Sequence, residues 1–358
     1  MSKYTARILA LSSKLHQNQA FLITNTQDML YFAGFETLVP NEREGYVLVT
    51  QDSTYVIHAS FTPVSKLSEI TYLIGCTGEL GKKNLSKIVT DHHISTLFAD
   101  YNSLSVAEYK NFSEVKNLQI KEIEKDLLAS LRMVKDESEQ KLIRSAGRIS
   151  AEAFDAFFSK LEVGLTEMQV KHLLEHELRV RGADQTAFPT IVAFGAHTAL
   201  PHYQPSSMKL AKNMPVMIDF GAKFEHYCSD MTRTFWFGPD PDAGFSAVEA
   251  IVKTAYNQAL EYLKDTDITH LANGVDDAAR SVIAQAGYGK QFIHTTGHGL
   301  GLDIHESPSL NWTNTQEIVP GMVITIEPGI YLEGKFGIRY ENSVLITENE
   351  VVEVTLLS

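Results

Sequence analysis

The sequence predicts two domains, a smaller α/β domain followed by a larger α+β domain that contains an internal duplication. Three observations lead to this prediction. The chain has 358 residues, which exceeds the length of one typical domain. Strand-like apolar runs alternate with helical patterns in its first third. In the remaining part, a pair of helical patterns followed by strand-like segments occurs twice.

The composition predicts a soluble cytoplasmic protein with a large core. Hydrophobic residues make up 44% of the chain, and its formal net charge is −13, which argues against nucleic acid or an anionic membrane as partner. The two cysteines, Cys76 and Cys228, form no disulfide framework and suit a reducing compartment. Polar residues interrupt the N-terminal segment every few positions, so neither a signal peptide nor a membrane span is expected.

The N-terminal domain is assigned to residues 1–125 and the second domain to residues 126–358. In the first domain, "GYVLVT", "STYVIHA" and "ISTLFAD" are typical of strands, whereas "LGKKNLSKIVTDH" and "SVAEYKNFSEV" are typical of helices. This domain has no evident chemistry of its own. Asp136 begins the first helix of the second domain, with Glu139 as its capping-box partner.

The second domain repeats its pattern after about 105 residues. Helices are predicted at about 136–161, 166–181, 244–264 and 268–286. The two pairs end at Gly182 and Gly287, 105 residues apart, and two candidate hairpins begin at Val216 and Val323, 107 residues apart. The repeat predicts a pseudo-two-fold layered domain in which acids from both halves meet at the centre.

Each candidate hairpin carries two acids among apolar residues. If the first hairpin turns near Phe224–Glu225, Asp219 and Asp230 lie opposite each other on neighbouring strands. Glu327 and Glu341 are symmetric about Gly334 in the second hairpin. Facing carboxylates in apolar surroundings are unfavourable unless cations neutralise them.

A histidine-rich stretch, "HTTGHGLGLDIHE", lies between the two hairpins, and it does not show by itself which of its histidines binds a metal. Four carboxylates with one imidazole favour hard divalent ions, Mn²⁺ first, with Co²⁺, Fe²⁺ or Zn²⁺ as competitors. Their four negative charges balance two divalent ions. Such a centre activates water at neutral pH, which predicts metal-assisted hydrolysis.

Five ordered segments carry a family resemblance: "IDFGA", "SDMTRT", "TGHGLGLDIHE", "ITIEPGIY" and "IRYENSVLIT". They resemble the signature segments of the pita-bread metallopeptidases, which include prolidase, aminopeptidase P, methionine aminopeptidase and creatinase. The two-domain plan resembles the prolidase and aminopeptidase P branch. The resemblance implies an α+β fold in which a duplicated pita-bread domain follows a smaller α/β creatinase-type N-terminal domain.

The resemblance also implies roles for individual residues. The residues that match the ligands of two divalent metal ions, most often Mn²⁺, are Asp219, Asp230, His298, Glu327 and Glu341. Those that match Asp230 and Glu341 bridge the ions in the family. His202 and His305 match histidines at the substrate, which His298 also contacts; Glu327 is expected to relay a proton, and Arg339 to support the bridging carboxylate. His294 is expected to have a supporting role.

The implied activity is hydrolysis of the bond before a proline in short peptides by a homodimer. Two substrates remain open. Ser309 lies where some dipeptidases of the family have a carboxylate-binding arginine, which favours an Xaa-Pro aminopeptidase. The loop "VPNERE" resembles the "D-P-H-E-R" loop of some prolidases at Glu42 and Arg43 but not at Val39 and Asn41, and it tips the prediction towards Xaa-Pro dipeptidase.

Other classes of protein are less consistent with the sequence. An inactive pita-bread binding module or a creatinase-like amidinohydrolase is expected to lack ligands that this chain retains. "HLLEH", with His172 and His176, formally fits a zinc-peptidase pattern, but its helix face is typical of a solvated surface. Tyr340 and Asn342 depart from the more usual "R-I-E-D" pattern, so we expect altered surroundings of Glu341 but an unchanged ligand.

Overall fold

The computed structural model describes residues 2–39, 42–124, 126–265 and 269–356. The chain divides into two compact units, Met1–Arg132 and Met133–Ser358. The predicted domain boundary at residues 125 and 126 stays a prediction, and residue 125 lies outside the described residues. Within the described ranges, no helix is long and apolar enough to cross a membrane.

The first unit is built around one mixed sheet. Its helices are α1 (Lys3–Ser12), α2 (Thr26–Ala33), α3 (Gly78–Asp91), α4 (Val106–Ser113) and α5 (Leu127–Met133), the last ending at the division between the units. Its strands are β1 (Gln19–Ile23), β2 (Gly45–Val49), β3 (Thr54–His58), β4 (Thr71–Ile74), β5 (Thr96–Ala99) and β6 (Gln119–Glu122). The strand order is β4-β3-β2-β1-β5-β6.

The strands β1, β2 and β3 of this sheet are apolar and are buried along almost their whole length. Leu22, Leu48 and Leu97 of neighbouring strands lie in one core cluster with residues of α3 and α4. The three strands and two helices predicted in this region are confirmed as β2, β3, β5, α3 and α4.

The first half of the second unit begins with helices α6 (Glu137–Phe158) and α7 (Glu167–Val180). Strands follow at β7 (Gln185–Thr186), β8 (Ile191–Phe194), β9 (Met214–Phe220), β10 (Ala222–Phe224), β11 (Tyr227–Cys228) and β12 (Met231–Phe237). They form two three-stranded sheets, ordered β12-β9-β8 and β11-β10-β7. A 3-10 helix, Gly195–Ala199, follows β8.

The second half begins with helices α8 (Ala243–Lys264) and α9 (Ala272–Gln285), and a 3-10 helix spans Gly289–Gln291. Its strands are β13 (Gly297–Gly299), β14 (Glu306–Leu310), β15 (Val323–Ile326), β16 (Gly329–Leu332), β17 (Phe336–Arg339), β18 (Asn342–Ile346) and β19 (Val351–Glu353). A five-stranded sheet has the order β14-β13-β15-β18-β19, and β16 pairs with β17.

The two halves repeat each other closely, which confirms the predicted duplication. Helices α6 and α8 each contain 22 residues, and α7 and α9 each contain 14. Gly182 and Gly287 follow the shorter helices with φ values of 101° and 89°, a left-handed conformation that glycine adopts without steric cost. Residue 268, where the fourth helix was predicted to begin, lies outside the described residues, and α9 begins at Ala272.

In each half of the second unit, residues of the helices and of the strands share an apolar core. Asp136 caps α6 in a capping box with Glu139, as predicted. Each half has its own apolar core. Phe157, Leu174 and Ile218 belong to the core of the first half, and Val252 and Ile324 belong to the core of the second.

Candidate metal centre

The first pair of predicted ligands lies on strand β9 and directly before strand β12, and the register of these strands differs from the expected one. Asp219 pairs with Thr232, not with Asp230, which immediately precedes β12. The prediction of direct opposition is wrong because the turn lies one residue later, at Glu225–His226, where both residues have positive φ. Moving the turn by one residue shifts every cross-strand partner by two. Asp230 is thus the diagonal neighbour of Asp219 on the same face.

The second pair lies where the predicted symmetry places it. Ile326 pairs with Asn342, and Gly329 pairs with Arg339, so the register on both sides is centred on Gly334, whose φ is 72°. Glu327 and Glu341 lie between these pairs, at the break between the five-stranded sheet and the β16–β17 hairpin. The expected symmetry about Gly334 is confirmed.

Asp230, His298 and Glu341 form a compact group of metal-binding side chains. One ligand atom from each lies within 4.8 Å of the others. His298 Nε2 is 3.7 Å from Asp230 Oδ2 and 3.4 Å from Glu327 Oε1. Asp230 and Glu341 are only 5% and 2% exposed. The group joins both halves of the unit, because Asp230 belongs to the first and the other residues to the second.

Burial and mutual repulsion act on these acids in the same direction. Burial first, and then the charges of Glu341, Asp219 and Glu327, raise the pKa of Asp230 well above its ordinary value. Burial and the neighbouring carboxylates likewise raise the pKa of Glu341. Burial raises the pKa of Glu327 against the opposing effects of His294 and Arg339. Bound cations would remove this penalty.

Two further observations match this group to a divalent cation. The Oδ1 atom of Asp219 is buried and has no hydrogen-bond partner among the described residues, although its Oδ2 accepts from Arg339. The Nδ1 atom of His298 lies 2.9 Å from the carbonyl oxygen of Gly299, to which it donates when Nε2 is the unprotonated nitrogen. The lone pair of Nε2 then points at the acids, as metal ligation by histidine requires.

Arg339 and Thr232 hold the carboxylates from behind. The Arg339 guanidinium donates to Asp219 Oδ2 at 2.5 Å and, through Nε, to Thr232 Oγ1 at 2.9 Å. The Thr232 hydroxyl in turn donates to Glu341 Oε2 at 2.6 Å. Arg339 therefore contacts Asp219 directly and reaches Glu341 through Thr232, whereas its expected partner was a bridging carboxylate.

The predicted substrate histidines His202 and His305 both have exposed side chains. The ring of His305 is 4.5 Å from the ring of His298. Burial, then His298, lowers the pKa of His305, and the charge of His202 contributes in the same direction. His298 and His305 are therefore adjacent, and His202 is near enough for its charge to act on His305.

His294 lies beside the group and not within it. Its Nε2 is 2.9 Å from the Tyr331 hydroxyl oxygen, and the same oxygen accepts a 2.8 Å hydrogen bond from Arg339. Its Nδ1 is 3.9 Å from Glu327 Oε2. Thr232 and Tyr331 were not among the predicted site residues. Thr232 was detectable, because it follows Asp230 by two positions on a strand and so shares its face; Tyr331 gave no signal.

The departures from the usual pattern have local explanations. Asn342 is fully buried; its Oδ1 accepts from Arg233 at 2.7 Å, and its Nδ2 donates to Glu353 Oε1 at 3.1 Å. An aspartate there would face the carboxylate of Glu353. The Tyr340 ring lies beneath the Arg233 guanidinium, 4.8 Å from it. Ser309 pairs with His298 across β13 and β14 and supplies no positive charge.

The "VPNERE" loop belongs to the first unit, and Pro40 and Asn41 lie outside the described residues. The Arg43 guanidinium forms an ion pair with Glu108 at 2.7 Å and donates to the carbonyl oxygens of Thr24 and Ser103. Arg43 is thus engaged within its own unit. Glu42 is exposed.

The histidines of "HLLEH" lie one turn apart on α7. Both His172 and His176 are exposed, and no metal-binding group of the described residues includes them. The expectation of a solvated surface is confirmed.

Two compact units and a buried carboxylate and histidine group define a protein of the metallopeptidase class. The chain matches Metallopeptidase family M24 over residues 141–348 and the Creatinase/Prolidase N-terminal domain over residues 7–134. It belongs to metallopeptidase family M24. The predicted resemblance and the predicted fold class are confirmed.

Several relatives extend over nearly the whole chain. An uncharacterized peptidase of Staphylococcus saprophyticus is 34% identical over 337 residues, 94% of each chain. The Xaa-Pro dipeptidase from Bacillus anthracis is 30% identical, with a TM-score of 0.88 over 99% of this chain and 98% of that one. The X-Pro aminopeptidase from Thermotoga maritima MSB8 is 32% identical, with a TM-score of 0.83 over 97% of this chain and 98% of that one.

Proposed function

We propose that this protein hydrolyses the bond before a proline, with Xaa-Pro dipeptides as first substrates and longer Xaa-Pro peptides as the alternative. The observation that carries the proposal is the buried group of Asp230, His298 and Glu341 with the unpartnered Oδ1 of Asp219 beside it. The similarity to an Xaa-Pro dipeptidase and to an X-Pro aminopeptidase supports this type of bond.

Five side chains are proposed to hold two divalent ions, Mn²⁺ before Co²⁺, Fe²⁺ or Zn²⁺: Asp219, Asp230, His298, Glu327 and Glu341. Bound there, the ions would polarise a carbonyl oxygen and lower the pKa of a water molecule. Arg339 and Thr232 fix the carboxylate oxygens, because each donates to one of them. The donor set is rich in oxygen, which matches hard ions.

The remaining groups of the site act on the peptide. His202 and His305 are proposed to orient it from the open side and to donate hydrogen bonds to the oxygen that gains negative charge. Glu327 is proposed to pass a proton to the departing nitrogen, as the family resemblance implies. That nitrogen carries no N–H in the substrate, so recognition rests on the groups around it.

The choice between dipeptidase and aminopeptidase depends on what binds the carboxylate of the dipeptide. Ser309 cannot do so by charge, and Arg43 is paired with Glu108 in its own unit. The preference for dipeptides therefore rests on resemblance more than on an identified cation. A homodimer is proposed on the same resemblance, and sedimentation equilibrium of the full chain tests it: a mass of one chain would exclude it.

The deciding experiment compares hydrolysis of Ala-Pro and Ala-Pro-Ala by Mn²⁺-loaded and chelated protein. Cleavage of Ala-Pro alone supports the dipeptidase, and preference for Ala-Pro-Ala supports the aminopeptidase. His298→Ala should abolish both reactions, whereas His172→Ala, an exposed histidine on α7, should retain wild-type rates. A Mn²⁺-loaded wild-type protein that cleaves neither peptide would contradict the proposed function.

A further inference from the structure

The segment 194–206, which carries His202, is held by one carboxylate from outside it. Apart from the 3-10 helix Gly195–Ala199, most of this segment lies outside helices and strands. Glu167, the first residue of α7, is 0% exposed. Its side-chain oxygens accept hydrogen bonds from Phe194 N (2.8 Å), His197 Nδ1 (2.9 Å), Tyr203 OH (2.9 Å), Ser206 N (2.9 Å) and Ser206 Oγ (2.6 Å).

The hydrogen bonds to Glu167 determine its charge state. Burial raises the pKa of Glu167, but the bonds from Ser206, His197 and Phe194 outweigh burial and hold it below the ordinary value. The carboxylate also lies at the N-terminal end of α7, where the helix dipole favours negative charge. His197 and Tyr203 stack at 4.7 Å, so the donors support one another. A glutamine cannot replace this carboxylate, because it has an NH₂ donor in place of one of the two acceptor oxygens.

The second half contains a corresponding arrangement. Asp276 on α9 is 0% exposed and accepts from Thr296 N at 3.2 Å and Thr296 Oγ1 at 2.7 Å. It also pairs with both Arg280 Nε and Nη2. Arg280 donates to the carbonyl oxygens of Phe292 and His294 at 3.1 and 2.8 Å. One buried acid thus holds the segment 292–296, which leads to His298.

We propose that Glu167 and Asp276 are positioning residues, each of which fixes the histidine segment of its own half: Glu167 the segment of His202, and Asp276 that of His294 and His298. The inference rests on the proposed function, since it gives these histidines their task. The chain offers a matched control on the same helix as Glu167. Glu177 is buried as well, but its partners are Lys160 and Arg181, outside both segments.

The first test needs no activity. Hydrogen–deuterium exchange of the full-length, metal-free protein is measured by mass spectrometry on wild type, Glu167→Gln, Asp276→Asn and Glu177→Gln. Glu167→Gln should accelerate exchange in 194–206 roughly tenfold, the effect of losing one hydrogen bond to a charged group, and leave 292–296 unchanged. Asp276→Asn should do the reverse, and Glu177→Gln should change neither segment.

The second test asks whether Glu167 acts through His202. Glu167→Gln should lower kcat/KM for Ala-Pro roughly tenfold or more, but change it less than twofold when His202→Ala is already present. Asp276→Asn should lower kcat/KM by the same factor whether or not His202→Ala is present. Equal losses for Glu167→Gln in both backgrounds, or accelerated exchange throughout the unit, would overturn the proposal.

A further variant separates misfolding from mispositioning. Ser206→Ala removes one 2.6 Å donor to Glu167 and keeps the carboxylate, so it should reproduce a smaller part of both effects, about twofold to fivefold. If it changes neither exchange in 194–206 nor kcat/KM, the proposal fails. If wild type hydrolyses neither Ala-Pro nor Ala-Pro-Ala, the proposed function fails, and the exchange data alone decide on the positioning residues.

Discussion

Two substitutions in the acidic group should shift the stability of the metal-free protein in opposite directions. Asp230→Asn removes a carboxylate on which burial and the like charges of Glu341, Asp219 and Glu327 outweigh the opposite charge of Arg339. Asp219→Asn removes the partner of Arg339, which is 4% exposed. Because both changes delete a proposed ligand, both should prevent metal binding. In the absence of metal, however, the first should stabilise the fold and the second should destabilise it.

The magnitudes follow from the distances. The ligand atoms of Asp230 and Glu341 lie within 4.8 Å of each other, and two unit charges at that distance repel by roughly 3.5 kcal/mol at an effective dielectric constant of 20. Burial of the asparagine amide offsets part of this gain, so Asp230→Asn should raise the free energy of unfolding by about 1–3 kcal/mol. Breaking the 2.5 Å pair of Asp219 and Arg339 should cost about 3–5 kcal/mol, the usual penalty for a buried ion pair that loses one partner.

The raised pKa of Asp230 also predicts that the stability of the metal-free protein depends on pH. The pKa of Asp230 in the metal-free fold is above its ordinary value of 3.8, so wild type loses stability as the pH rises above that value. The advantage of Asp230→Asn should therefore be small at pH 4 and grow towards pH 8. Thermal and urea unfolding with a chelator present measure it. At pH 8, the midpoint should rise by about 2–12 °C for Asp230→Asn and fall by about 6–20 °C for Asp219→Asn.

A lower unfolding midpoint for metal-free Asp230→Asn at pH 8 would refute the repulsive arrangement of these acids. An unchanged midpoint for Asp219→Asn would refute the direct pairing with Arg339. Isothermal titration with Mn²⁺ supplies the second measurement, since both variants should lose binding. Tight Mn²⁺ binding by Asp230→Asn would remove this residue from the proposed ligands.

Three further predictions concern the surroundings of the site, the first unit and the metal. Asn342→Asp should lower the free energy of unfolding by about 2 kcal/mol at pH 8, because it replaces a 3.1 Å donor to Glu353 by a like charge. In urea unfolding, the double variant with Glu353→Gln should recover most of that loss. An equal loss with and without Glu353→Gln would contradict the prediction. Glu44→Gln should cost about 1–3 kcal/mol at pH 7, since Glu44 accepts from two backbone amides and Thr62. Burial opposes ionisation of Glu44, but these bonds hold its pKa below 4.5, so the cost should vanish as the pH falls through that lowered value, and a cost that persists at pH 2 would contradict the reasoning. Mn²⁺ at 100 times its Kd should raise the unfolding free energy of wild type by about 2.7 kcal/mol and that of Asp230→Asn by none.

The sequence determined the elements and the residue types of the site. The helix pairs, their glycine ends and the capping box at Asp136 were predictable because they depend on local periodicity and backbone conformation. The symmetry of Glu327 and Glu341 about Gly334 was predictable for the same reason, since one turn fixes the register of one hairpin. The five ordered segments also determined the family.

Only the tertiary structure decided which groups meet. The first hairpin turns one residue later than expected, so Asp219 faces Thr232, and no pattern in the sequence separates two turns that differ by one position. Tyr331, Glu167 and Asp276 gave no signal, because each has a partner 8 to 39 residues away that only the folding of its own half brings into contact. Local propensity determines strands and helices, but burial and distance decide which carboxylate repels, pairs or positions its neighbour.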